Sequence, residues 1–104
     1  MKTSNFINVA KSAAEAARMV APLHGDSGTL NLDKCAIEAS EQVIEMLDKA
    51  GLRGYARHFG FWAGWVLISS PVSSQGNRNT AQAEAMCRVF KDAGYNATVY
   101  YQMD

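Results

Sequence analysis

The sequence is short of most features that make a function easy to read. It has no surplus charge: ten Lys and Arg balance ten Asp and Glu. That argues against nucleic acid as a partner, because phosphate backbones are held by an excess of basic side chains. No apolar run approaches the roughly 20 residues of a membrane span, and the start, M-K-T-S-N-F, has no apolar export core. The expectation is a cytoplasmic protein with no membrane contact. Cysteine is scarce: Cys35 and Cys87 form no C-x-x-C, and His24 and His58 form no H-x-x-x-H. No disulfide framework or local metal motif can be written from that set, and the two cysteines read as buried thiols of a reducing compartment. There is no phosphate-cradling P-loop and no dinucleotide fingerprint, so no cofactor is implied.

One further absence is local. Between Asp48 and Glu84 there is no carboxylate, while Arg53, Arg57, His58 and Arg78 all fall in that window. A locally positive potential follows.

The residues that are present describe one domain of modest core. Phe6, Val9, Ala13, Ala16 and Val20 recur at helical spacing, which predicts a helix from about Asn5 to Ala21, stopped by Pro22. Its alanines suggest close approach to another helix. A second helix is expected from Leu32 or Asp33 to Ala50, with Gly51 as its stop and Glu38, Glu41, Glu45 and Asp48 on a solvated outer face. The period then changes. Gly54–Phe61 and W-V-L-I-S-S read as two strands with a turn near Gly60–Gly64. A third helix capped by Asn79 or Thr80 presents Ala83, Met86, Cys87, Phe90 and Ala93 inward, and A-T-V-Y-Y-Q-M closes as a strand. The expected fold is α+β in the order α-α-β-β-α-β: two N-terminal helices, a β-hairpin and a β-α-β crossover. The sheet would have three strands with helices on one face. Its other face would call for a second copy or a ligand.

Two short resemblances bear on function. G-D-S-G at residues 25–28 resembles the nucleophile motif of trypsin-like proteases, which are about twice this length and place their triad on two barrels. Gly, Asp and Ser also make turns, and the stretch reads as a loop. W-V-L-I-S-S-P, a helix and A-G-Y-N-A-T-V-Y-Y resemble half of a sporulation-related repeat domain, a peptidoglycan-binding family of two such halves. Here two helices stand in place of the first half, so the reading does not rest on that family.

The richest stretch is R-G-Y-A-R-H-F-G-F-W-A-G-W, residues 53–65, which holds half of the chain's aromatics. On a strand, Tyr55, Arg57, Phe59 and Phe61 would share one face. Arg stacked between aromatics can still offer its fork to a phosphate or carboxylate, and the same residue types build interface hot spots. The candidate binding residues are Arg53, Tyr55, Arg57, His58, Trp62 and Trp65, joined by Asn77 and Arg78 of the loop before the third helix, where amides attract anions. The expected function is a small non-enzymatic binding protein and a homo-oligomer, taking a protein partner or a small anionic, nucleotide-like ligand. Size and the absence of catalytic motifs also fit a phage or mobile-element inhibitor. The alternative is a small enzyme acting on an anionic metabolite with His58 as acid or base.

Overall fold

The computed structural model describes residues 3–25, 33–73 and 76–101. The elements are α1 (Thr3–Val20), a 3₁₀ turn (Ala21–Leu23), β1 (Lys34–Glu38), α2 (Val43–Lys49), β2 (Gly54–Ala56), β3 (Trp65–Ile68), α3 (Asn77–Asp92) and β4 (Ala97–Tyr100). The expected second helix is therefore two elements. Lys34–Glu38 is a strand, and only Val43–Lys49 is helical. The period-2 signal was hidden because Cys35, Ala36 and Ile37 are all buried: β1 lies inside the sheet and is covered on both faces.

The sheet has four strands in the order β2-β3-β1-β4, not three, and every neighbouring pair is antiparallel. β1 and β2 thus run parallel with β3 between them, joined by α2. β3 and β4 run parallel with β1 between them, joined by α3. Two interleaved crossovers make the split β-α-β arrangement. The segment from Lys34 to Ala56 is consequently strand–helix–strand, where the sequence suggested one long helix followed by a strand.

Register divides the sheet into two faces. Cys35 pairs with Ile68 and Val99, and Ile37 with Val66 and Ala97. These side chains join the core with α1, α2 and α3. Phe6 of α1 packs on Phe90 of α3 and on Tyr95, with ring centroids 5.9 and 5.6 Å apart. Ala10, Ala13, Ala14 and Ala17 are buried without remainder, as close helix packing requires. The inner stripe is turned slightly from the expected one, since Val9, Ala16 and Val20 are only half-buried. Ala93 lies past the end of α3 and is exposed.

α2 sits tight on β2. A Cβ on Gly54 would stand 2.7 Å from Leu47 Cδ1 and 3.1 Å from Val66 Cγ1. A methyl there would have to push the Leu47 and Val66 side chains aside, so glycine lets the strand pass close beneath this helix.

The N-terminus of α3 is tied down by amides. Gln82, fully buried, exchanges two 3.0 Å hydrogen bonds with the backbone of Val72. Asn79 Nδ2 donates to Asp33 O, Ser70 Oγ donates to Asn79 Oδ1, and Thr80 Oγ1 donates to Asp33 Oδ2. The helix begins at Asn77, so Asn79 and Thr80 are not its caps but brackets to Asp33, just before β1, and, through Asn79, to Ser70 of the β3–α3 loop.

Candidate aromatic docking loop

The sheet face turned away from the helices carries Lys34, Ala36 and Glu38 of β1, Tyr55 of β2, Trp65 and Leu67 of β3, and Thr98 and Tyr100 of β4. Such a face would expose Leu67, yet Leu67 is 3% accessible and Ala36 wholly buried. The β2–β3 loop lies over this face. Trp62 stands edge-on to Trp65, with centroids 5.4 Å apart, and edge-on to Tyr100 at 5.1 Å. Trp65 pairs with Glu38 at one end of β1, and Tyr100 with Lys34 at the other. A ring touching both spans the positions between them, and there the sequence places the small Ala36.

The loop's backbone makes this possible. β2 ends at Ala56, not at Phe61, so Arg57, Phe59 and Phe61 do not continue the Tyr55 face. Arg57 N–H donates to Trp65 O, Gly64 N–H to Arg57 O, and Trp65 N–H to Trp62 O. Gly60 and Gly64 adopt φ of 79° and 86°, the left-handed turns that other residues resist. The chain curls back before β3 begins, which rolls Trp62 onto the sheet.

The same curl turns two side chains outward. Phe59 is 85% exposed and Phe61 89%, one on each side of Gly60. Phe61 touches the edge of Trp62, with centroids 5.5 Å apart, so the exposed tip is built on the anchored ring. Arg57 and His58 are exposed at the base of the tip. His58 Nε2 lies 3.7 Å from Glu41 Oε2, both about two-thirds exposed, beside a hollow of about 290 Å³ that Arg57 and Trp65 also line. Tyr55 is exposed, with Lys34 Nζ 5.9 Å from its ring centroid.

Arg53 belongs to a different surface. With Glu41, Glu45 and Asp48 it rims a cleft of about 490 Å³ whose apolar lining includes Ile44 and Leu52. The acidic face expected to be simply solvated thus borders a concavity. Arg78 lies elsewhere: its Nε donates to Ala21 O and His24 O, both at 3.0 Å, and its backbone N–H donates to Gly25 O. That guanidinium serves the carbonyls at the end of the first helical segment. Asn77 is the exposed first residue of α3. Neither stands with the 53–65 residues in any cleft found among the described residues.

Phe59 and Phe61 are exposed tip residues that the sequence reading did not single out. F-G-F was the available signal: aromatics flanking a turn glycine have no core to enter. That reading also passed over Tyr100 and Ala36, which only the sheet order brings under Trp62. Asp26 and Ser27 of G-D-S-G lie outside the described residues. Among the described residues no group of three or more His, Cys, Asp and Glu could hold a metal ion, and no helix is long and apolar enough to cross a membrane. Compared with protein-family models, curated proteins and solved structures, the chain matches none of them.

Proposed function

We propose that this chain is a non-enzymatic interaction protein that docks the tip of its β2–β3 loop into an apolar, carboxylate-edged cleft on a protein surface. One observation carries the reading: Phe59 and Phe61 are 85% and 89% exposed on a loop that Trp62 holds in place. Burying a phenylalanine contributes about 1.5–3 kcal/mol, and a held loop loses little entropy when it docks. Arg57 is exposed at the base of the tip, and aromatics beside arginine are the usual composition of a hot spot.

Among the described residues there is a cleft of the required kind. The space between α2 and β2 combines Ile44 and Leu52 with Glu41, Glu45 and Asp48. A second copy is therefore the first partner we assign, the tip of one protomer entering the cleft of the other with Arg57 toward the carboxylates. Sedimentation equilibrium tests this. The wild-type chain should self-associate, and both Phe59→Ser/Phe61→Ser and Glu45→Lys/Asp48→Lys should give monomers. A wild-type monomer at every concentration removes the second copy as occupant.

A second reading gains one observation. An enzyme acting on an anionic metabolite would use His58 as acid or base, and Glu41 Oε2, 3.7 Å from His58 Nε2, would have to close to hydrogen-bond distance to orient the ring. It requires a small anion whose binding raises the melting temperature and is lost in Arg57→Ala. Turnover of that anion must also vanish in His58→Ala.

A further inference from the structure

The two cysteines lie apart from the docking loop. Cys35 is the second residue of β1 and Cys87 sits mid-way along α3, with 51 residues between them in the chain. The fold lays one directly against the other. Cys35 points into the helix-facing side of the sheet, where its register partner Val99 lines the same pocket as Cys87; both thiols are free, belong to the same core and sit close enough for each to act on the other's ionisation. Their surroundings differ. Cys35 is completely buried. Cys87 is 4% accessible and lies in the wall of a polar pocket of about 320 Å³ between α3 and the end of β4. Arg88, Lys91 and Tyr101 line the same pocket, with Glu84 and Asp92.

We propose that Cys87 is a peroxide-reactive thiol and Cys35 its resolving partner, so that this pocket is the entrance to a reversible Cys35–Cys87 disulfide site. The chemistry needs a thiolate within reach of a small oxidant and a second thiol within reach of the first. Cys87 meets the first requirement. The hydrogen bond from Cys35 lowers its pKa to about 7, with Lys91 acting in the same direction and against burial and Glu84. Cys35 meets the second. Its own ionisation is pushed well up, first by that same hydrogen bond and then by burial, which keeps it the protonated donor.

The steps balance with a hydroperoxide as oxidant. Cys87 Sγ attacks one peroxide oxygen, the O–O bond breaks, hydroxide leaves and Cys87 becomes a sulfenic acid. Cys35 Sγ then attacks the Cys87 sulfur, the S–S bond forms, the S–O bond breaks, and the Cys35 proton leaves with the oxygen as water. Two thiols are oxidised and one hydrogen peroxide is reduced to two waters. A dithiol reductant restores the pair. A peroxide is small enough for the pocket, while the burial of Cys35 bars bulky oxidants from reaching it directly.

The test uses the folded full chain and stoichiometric hydrogen peroxide at neutral pH, with circular dichroism to confirm that it stays folded. Peptide mapping should show a Cys35–Cys87 cross-link and a mass lower by two hydrogens, both reversed by dithiothreitol. Cys35→Ser should instead accumulate a dimedone-reactive Cys87. Cys87→Ser should slow oxidation of Cys35 by at least about tenfold. Persistence of both thiols in the folded wild-type chain, while exposed Met19 is oxidised, overturns the proposal. So does oxidation of Cys35 at an undiminished rate in Cys87→Ser. The wild-type mapping decides the matter even where a variant fails to fold.

Discussion

The Trp62 ring stands edge-on to Tyr100, with centroids 5.1 Å apart and planes at 76°, although the two belong to the β2–β3 loop and to β4. The contact crosses β1, which lies between β3 and β4 in the sheet. It is the tie between the loop and the far side of the sheet, and the geometry of the exposed tip depends on it.

Trp62→Ala should therefore act on both stability and loop order. Removing a half-buried indole from Trp65 and Tyr100 costs about 1.5–3 kcal/mol, read as a fall in the denaturant midpoint. Amides of residues 57–64 should also lose hydrogen-exchange protection. Phe59→Ala and Phe61→Ala remove exposed rings and should stay within about 0.5 kcal/mol of wild type. An unchanged midpoint for Trp62→Ala would separate the loop from the sheet.

Gly54→Ala tests the approach of α2 to β2. The new methyl would meet Leu47 Cδ1 at 2.7 Å, and overpacking of this kind costs about 1–3 kcal/mol. Thermal unfolding reads it directly. The substitution should also disturb the adjoining cleft, so self-association should weaken with stability.

Arg78→Ala separates a structural arginine from a binding one. Losing charged hydrogen bonds to Ala21 O and His24 O should destabilise the fold by about 1.5–3 kcal/mol. Docking by the loop should be unaffected at temperatures where the variant is folded. Arg57→Ala should do the reverse, leaving stability near wild type and weakening docking.

The reactivity of Cys87 should follow pH with a midpoint of about 7. The thiolate is the reactive form and is lost as pH falls through that midpoint. Alkylation of the folded chain by iodoacetamide should thus plateau above about pH 8 and fall roughly tenfold for each pH unit well below 7. The groups facing the thiol are Cys35, Lys91, Glu84, Arg88, Asp92 and Tyr101. Cys35→Ser weakens the hydrogen bond that sets the midpoint and should move it upward. A wild-type midpoint near the ordinary thiol value of about 8.5 contradicts the assignment.

Much of the helical framework was legible in the sequence, because α1 and α3 show their period and their stops at Pro22 and Gly94. β1 was not. Lys34–Glu38 is apolar through three consecutive residues, and a strand covered on both faces has no alternation to read. Missing it cost the fourth strand, the sheet order and the first β-α-β half together. The 53–65 stretch was visible as an aromatic cluster with a turn near Gly60–Gly64, but its division of labour was not. Whether an aromatic is an anchor or an exposed tip depends on Ala36 and Tyr100, which are distant in sequence and adjacent only through strand order. Arg78 looked like an anion ligand because its backbone acceptors, at Ala21 and His24, lie more than fifty residues away.

The claim that the β2–β3 loop is a docking surface is tested most directly by parallel affinity capture from the native cell. The baits are the wild-type chain and Phe59→Ser/Phe61→Ser, at matched fold stability, with mass spectrometry of what each retains. The account predicts that wild type retains a specific protein, its own untagged copy included, and that the double variant loses it. Equal retention by both baits, or none by either, would contradict it.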